Sequence, residues 1–243
     1  MKAWQAQSLA EVKMTIKRGE TLLLTIGIPL LLLFFFSFTS FVSLPGAKRV
    51  DFLAPGIIAL CVMSTSLVSL SIATGFDRSY GVLRRLFTTP LSTRALVVSK
   101  IVSVVVVETL QVLIIGAAAL TIGWRPHGGF VGAALCVVGL LVASISFAGI
   151  GLLLAGNLKA EVNLAAANGL YLVLLLVSGF VIPTTAFPSF MRHLVVFTPS
   201  GALSAGLHNV VGNGAAFGLT NVISLVAWAV VAPLLASRAF SYE

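Results

Sequence analysis

Charged residues are scarce in this sequence. Asp, Glu, Lys and Arg make up 9% of its 243 residues, against about 25% in an ordinary soluble domain. Hydrophobic residues make up 58%, and the mean hydropathy is +1.09. So few polar side chains cannot cover the surface of a soluble globule. The composition therefore excludes a soluble protein and indicates an integral membrane protein.

Cysteine is also scarce, and one nucleotide-binding motif is missing. Cys61 and Cys136 lie inside apolar runs and belong to no CxxC pair or Cys/His cluster. The sequence therefore predicts neither a disulfide framework nor a metal site, and we interpret both residues as small buried hydrophobes. A G-x-x-x-x-G-K-[ST] phosphate loop is absent, which excludes ATP binding of that kind. We expect no cofactor on this chain.

What the sequence does contain is six apolar runs. Each is long enough to cross about 30 Å of hydrocarbon as a helix, which takes about 20 residues. Together they predict an all-α integral membrane protein with a single domain, 1–243. The runs lie near Leu22–Val42, Phe52–Gly75, Ile101–Gly123, Phe130–Ala155, Leu164–Ile182 and Gly218–Ala236.

The basic residues predict the orientation of these spans. An even number of spans places both termini on one side of the membrane. Of the 15 Lys and Arg residues, eleven fall on that side and four on the other. Cytoplasmic loops carry the excess of Lys and Arg, so we expect both termini, including the tail 237–243, in the cytoplasm. The net charge of +8 is explained by topology and anionic headgroups rather than by nucleic acid.

The first 21 residues are polar, with apolar side chains on one helical face. Leu9, Val12 and Ile16 fall at i, i+3 and i+7, which predicts an amphipathic helix lying at the membrane surface. A cleavable signal peptide fits poorly, because the apolar run that follows is too long and no A-x-A site follows it.

The segment 76–100 is the only long charged stretch between two apolar runs, and it holds five of the basic residues. Leu83 and Leu86, with Phe87, would form one apolar face of a short helix, from which Arg84 and Arg85 point away. Pro90 would end that helix. From the residues alone, a helix that transmits force and a solvated loop that only sets topology are equally supported.

Polar groups are rare inside the runs, and Glu108 is the clear exception. If the third helix begins near Lys100, eight residues place Glu108 about 12 Å along its axis. A carboxylate at that depth is costly and marks a candidate functional site. Gln111 lies three residues further on and shares its face. The alternative is that Glu108 bonds to a neighbouring helix or reaches a wet vestibule and only fixes packing.

Small residues are frequent in the fourth run. They predict a surface on which helix backbones approach closely. They are Gly132, Gly139, Ala143, Ser144, Ala148, Gly149, Gly151 and Ala155.

The segment 183–217 is apolar but repeatedly interrupted by Pro and Gly. A stretch this apolar, too broken to span and predicted on the outer side, indicates short helices that dip back into the outer leaflet.

Two passages resemble one family of membrane proteins. The loop DRSYGVLRRLFTTPLS is similar to an acidic-x-x-x-Gly-(Thr/Val)-Leu-x-x-Leu-x-x-x-Pro-(Leu/Val/Ile)-Ser pattern. The passage SGFVIPTTAFPSFMRHLVVFTPSGAL is similar to a Gly-x-x-x-Pro-x-x-x-x-Pro pattern followed by a re-entrant stretch and a further Pro. Both patterns, and the order of parts along the whole chain, resemble the type-2 ATP-binding-cassette exporter permeases, in particular the daunorubicin-resistance-like drug and lipid exporters.

This resemblance implies a role for each passage. A coupling helix that docks on a separate ATPase subunit would include Asp77, Arg78, Gly81, Leu83, Arg84, Arg85, Leu86 and Pro90. A connecting helix at the membrane surface would include Leu9, Val12 and Ile16. A re-entrant outer gate would include Gly179, Pro183, Pro188 and Pro199.

The resemblance also implies partners. ATP and Mg²⁺ would be bound by the ATPase, and a second permease, identical or closely related, would complete the pathway. The complex would export a hydrophobic or amphipathic drug-like or lipid-like substrate across a bacterial plasma membrane, and this chain would be a transport subunit rather than an enzyme.

Another class of function is left open by the residues themselves. Glu108 could carry protons in a proton-coupled secondary transporter, or serve an intramembrane enzyme. A carrier is expected to show inverted repeats and broken helices near the midplane, and no convincing repeat is found. An enzyme needs a constellation of reactive groups, and the runs supply only Glu108.

Overall fold

A computed structural model describes residues 7–9, 11–13, 19–39, 49–86, 92–180, 183–184 and 187–239, and within them every regular element is helical. Residues 7–9 and 11–13 are helical. The helices that follow are α1 Gly19–Phe38, α2 Arg49–Ser79, α3 Val82–Leu86, α4 Thr93–Thr121, α5 Gly129–Asn157, α6 Ala160–Ser178, α7 Ser189–Val195, α8 Pro199–Gly212 and α9 Leu219–Ala239.

The all-α membrane fold predicted from composition is confirmed. In the described part of the chain, α2, α4, α5, α6 and α9 are each long and apolar enough to cross a membrane. Helix α1 has 20 residues, which matches the length of a span. Helices α7 and α8 meet at an angle of 93°. Large apolar side chains remain exposed, such as Phe130 at 89%, as expected for surfaces that face lipid or another membrane subunit.

Two helices extend further than the hydropathy pattern predicts. The predicted second span ends at Gly75, whereas α2 continues to Ser79, and the predicted third span begins at Ile101, whereas α4 begins at Thr93. The prediction ended these spans next to charged side chains. A helix can nevertheless continue beyond the hydrocarbon when those charged groups bond to other parts of the protein. We call the end of the molecule that carries α3 the α3 end, and the end that carries the turn 122–128 the opposite end.

The small residues of α5 form the central packing surface, as predicted. All eight are buried. A Cβ atom at Gly149 would lie 2.5 Å from the backbone nitrogen of Pro233 on α9, and one at Gly151 would lie 2.7 Å from the carbonyl oxygen of Leu67 on α2. Larger side chains at these positions would push the neighbouring backbones away.

Helix α2 contains a π-helical segment, Ser64–Ser69. Such wider turns are rare and are found mostly at functional sites. Here the segment turns the adjacent residues Thr65 and Ser66 toward α4, where they bond to different side chains. The sequence gives no signal for this change of helical period.

The broken passage before α9 is explained by its Pro and Gly residues. Gly179 has a φ of +76° and ends α6, a conformation that glycine adopts without steric cost. Pro188 precedes the first residue of α7, and Pro199 is the first residue of α8, where a missing N–H costs nothing. Pro183 lies between α6 and α7. These positions fit the predicted re-entrant segment, and its role as a gate stays a prediction.

Candidate functional site

Helix α3 is joined to α2 by a tight turn. The N–H of Gly81 donates to the carbonyl of Arg78 at 3.0 Å, and Gly81 has a φ of +71°. Leu83 is buried in one hydrophobic cluster with Leu70 of α2 and Leu96 of α4. Short as it is, α3 is therefore fixed to both long helices.

Arg85 is exposed on α3, as predicted from the pattern. Arg84 and Leu86 belong to α3 by backbone, but their side chains and all of Pro90 lie outside the described residues. The docking role of this group stays a prediction.

The coupling-helix assignment places Asp77 and Arg78 on the short helix. In the structure both residues lie instead in the last turn of α2. The reason is that α2 continues without a break past Gly75 as far as Ser79. There Arg78 donates a hydrogen bond of 2.6 Å to the carbonyl oxygen of Gly156. A cation bonded to the last carbonyls of a helix is favourable, so Arg78 ties α2 to the end of α5.

An ion-pair cluster around the buried Lys100 lies at the α3 end, and sequence reasoning missed it. Lys100 is 1% exposed, and its Nζ atom lies 3.0 Å from a carboxylate oxygen of Glu11 and 3.0 Å from one of Asp77. The cluster joins the N-terminal helical residues, α2 and α4. In the sequence Lys100 looks like one more loop charge, and the only signal against this is that it falls one residue before the predicted third span.

The N-terminal residues that are described agree with a surface helix only in part. Leu9 is 62% exposed and Val12 is half-buried, while Ile16 lies outside the described residues. Gln7 bonds to Glu11 at 3.0 Å, one helical turn away. The amphipathic interfacial helix therefore stays a prediction, with the link between Glu11 and Lys100 as its observed attachment.

We predict that Gly81→Ala destabilises the turn before α3. A Cβ atom there meets nothing within 4 Å, so the effect comes only from the left-handed backbone, which costs about 1 kcal/mol for a residue with a side chain. Hydrogen exchange of residues 80–86 measures the effect and should become faster. Gly27→Ala, which also enters open space but lies within α1, is the control and should leave that exchange unchanged.

Glu108 and Gln111 are both buried inside the bundle, and they bond to side chains of other helices. Ser66 donates a hydrogen bond to the Glu108 carboxylate, and Thr65 donates to Gln111 at 3.0 Å. The hydroxyl of Ser144 on α5 lies 3.3 Å from that of Ser66. The structure therefore agrees with the interpretation that Glu108 bonds to a neighbouring helix. Thr65, Ser66 and Ser144 were missed, because isolated hydroxyl residues in apolar runs carry no sequence signal.

Glu108 also borders open space. A cavity of about 140 Å³, the Glu108 cavity, lies between α4 and α5, with Thr109, Leu113 and Leu141 in its wall. A second cavity of about 340 Å³, the Trp124 cavity, lies nearer the opposite end and is lined by Trp124, Gly116, Ala133 and the half-buried Cys136, among others. Both cavities share Val112, Val137 and Leu140 in their walls. We call the two together the α4–α5 groove.

The opposite end is held together by His208. Its Nε2 atom lies 3.0 Å from the carbonyl oxygen of Phe52 on α2, and its Nδ1 atom lies 2.8 Å from that of Ser204. His208 opens a second π-helical segment, His208–Gly212, and Val211 of that segment lines the Trp124 cavity. The bent pair α7 and α8 is therefore anchored to α2 next to the mouth of the groove.

Comparisons with known proteins agree with this architecture. The family model described as "ABC-2 type transporter" matches residues 3–207. YvfS of Bacillus subtilis, named as a transport permease, is 23% identical over 239 residues, which cover 97% of this chain and 96% of that protein. YbhR of Escherichia coli, named as a multidrug ABC transporter permease, is 26% identical over 151 residues, which cover 61% of this chain and 40% of that protein.

Proposed function

Because the chain belongs to the ABC-2 type transporter family, we propose that it is the permease subunit of an exporter driven by a separate ATPase. Membership of this family makes it a membrane permease component of an ABC transporter. It does not favour the alternative of a proton-coupled carrier. The ATPase would bind ATP and Mg²⁺, consistent with the lack of a phosphate loop in this sequence.

The attachment of α3 is the observation that carries this proposal. A short helix with an exposed Arg85 follows directly on a span of 31 residues. Leu83 fixes that helix to the bundle. A protein bound to α3 would therefore move α2 and α4 rather than a loose loop. This is the property that a coupling helix needs.

The remaining parts of the proposal follow from charge and surface. The excess of Lys and Arg at the α3 end supports a cytoplasmic location of that end and of both termini in a bacterial plasma membrane. Exposed apolar faces on α4, α5, α6 and α9 leave room for lipid and for a second permease. The scarcity of charged side chains along the spans supports a hydrophobic or amphipathic substrate that moves outward.

A double substitution tests the docking role. Replacing Arg84 and Arg85 with glutamine should abolish stimulation of the partner ATPase and transport of a labelled lipid or dye in reconstituted vesicles. Nine basic residues would remain on the predicted cytoplasmic side against four on the other, so membrane insertion should be kept.

A double Gln substitution of Lys159 and Arg238 is the matched control. It removes two charges from the same predicted side at exposed positions outside α3, and it should leave both activities unchanged. Full activity of the Arg84 and Arg85 variant would show that the loop serves only topology. Transport that stops with an uncoupler but survives ATP depletion would overturn the ATP-driven mechanism as a whole.

A further inference from the structure

The α4–α5 groove combines an apolar wall with one carboxylate. Glu108 is 4% exposed, yet it contributes to the wall of the Glu108 cavity, whose other members are apolar apart from Thr109. An ionised carboxylate inside a membrane is costly unless something compensates its charge, and without compensation the neutral, protonated form is favoured. The hydroxyl of Ser66 supplies a hydrogen bond but no charge.

No protein cation compensates Glu108 within the described ranges. The ion pairs found there are the two made by Lys100, which lies two helical turns from Glu108 on α4 and is already bonded to Glu11 and Asp77. The carboxylate accepts a hydrogen bond from Ser66, whose hydroxyl adjoins that of Ser144. Gln111 accepts a hydrogen bond from Thr65 and donates one of 3.3 Å to the carbonyl oxygen of Thr25. Because Glu108 contributes to the wall of the Glu108 cavity, a cation in that cavity would lie next to its carboxylate.

The two cavities of the groove follow one another along α4 and α5. The Glu108 cavity begins at Val105 and the Trp124 cavity reaches Gly116 on α4, a distance of about 16 Å along the helix axis. On α5 the same walls run from Leu141 to Gly129 in the opposite direction. Glu108 lies toward one end of this groove, and the larger cavity, which is apolar apart from His127, lies at the other.

We propose that the α4–α5 groove binds a lipophilic organic cation, with its positive group at Glu108 and its apolar body along the groove toward Trp124. The ligand charge stabilises the ionised form of Glu108, and the apolar body covers the aliphatic and aromatic wall. This assignment deepens the proposed function, on which it rests, by naming the charge and shape of the substrate class.

A matched pair of rod-shaped probes tests it. Trimethylammonium-diphenylhexatriene carries a cation at one end, whereas diphenylhexatriene has the same rod without the charge. The purified full chain in neutral detergent, without any ATPase, is titrated with each probe while energy transfer from tryptophan is recorded. We expect saturable transfer with the cationic probe only, and loss of most of it in a Trp124→Phe variant.

Two substitutions locate the site. Glu108→Gln keeps the shape and can still accept the hydrogen bond from Ser66, and it should weaken binding of the cationic probe about tenfold or more. Gly116→Leu should weaken it as much, because a side chain at Gly116 meets nothing within 4 Å and would fill the Trp124 cavity. The controls are Glu161→Gln, which removes an exposed carboxylate of α6, and Gly169→Leu, which enters open space on α6.

The outcomes separate this inference from the proposed function. Equal binding of both probes, or unchanged affinity in Glu108→Gln or Gly116→Leu, would overturn the inference, because either the charge or the groove would then be irrelevant. Should Glu108→Gln fail to fold, Gly116→Leu and the neutral probe still show whether the groove binds the cationic probe. Stimulation of a partner ATPase by this chain does not depend on these results, and its absence would count against the proposed function alone.

Discussion

Replacing Lys100 with methionine should destabilise the protein by about 2–3 kcal/mol and reduce its coupling to the proposed ATPase. Removal of one member of a buried ion pair leaves an uncompensated charge and typically costs 3–5 kcal/mol. We expect less here, because the side chains of Glu11 and Asp77 are 15% and 31% exposed and water can reach them in part. Loss of the cation should also free the N-terminal helical residues from α2 and α4. Thermal unfolding in detergent and ATP-dependent transport in vesicles measure the two effects.

Three comparisons isolate the role of this ion pair. Lys159→Met, at an exposed position, should leave stability and transport unchanged. Lys100→Arg should keep most of both, since it retains the charge. The double variant Lys100→Met, Asp77→Asn should be more stable than Lys100→Met alone, because one uncompensated carboxylate is removed with the cation. Equal stability of Lys100→Met and the natural protein would mean that the cluster does not hold the N-terminal residues in place.

The second large effect is expected at Gly149. An alanine there should destabilise the bundle by about 1–3 kcal/mol, because its Cβ would lie 2.5 Å from the backbone nitrogen of Pro233 and 2.8 Å from the carbonyl carbon of Ala232. Backbone atoms cannot rotate away as a side chain can, so α5 and α9 must separate. The midpoint of thermal unfolding measures the change.

Gly169→Ala is the matched control for this substitution. It lies within α6, and a Cβ atom there meets nothing within 4 Å. The same chemical change should therefore stabilise the protein by up to about 1 kcal/mol, since alanine favours the helix over glycine. Opposite signs for the two variants are the expected result. The same sign for both would show that packing between α5 and α9 does not decide the effect.

Hydropathy was sufficient to predict the helices but not their ends. The apolar runs predict each span, because crossing hydrocarbon demands a long apolar helix whatever its partners are. Ser79 and Thr93 were missed as helix ends because the residues beyond Gly75 and before Ile101 are charged. Whether such a segment stays helical depends on partners that are distant in sequence, such as Glu11 for Lys100 and Gly156 for Arg78.

The candidate sites, like the helices, could be predicted from the sequence only in part. Glu108 could be found from the sequence, because a single carboxylate in an apolar run is energetically costly and therefore indicates a function. Its bond to Ser66 could not, since it depends on a π-helical segment that no apolar periodicity records. Pro188 and Pro199 were recognised as breaks because the backbone of proline restricts helices locally, whereas the groove depends on how far α4 and α5 separate.

The π-helical segment also divides α2 into two arms of unequal length. With 31 residues, α2 is about 46 Å long and stands about 16 Å clear of the hydrocarbon. If Ser66 is the fulcrum, the arm to Ser79 is about 20 Å and the arm to Arg49 about 26 Å. A tilt of about 10° would then shift Ser79 by about 3.5 Å and Arg49 by about 4.5 Å in the opposite direction. A displacement of the α3 end of α2 would thus produce an opposite displacement of its other end that is about 1.3 times larger.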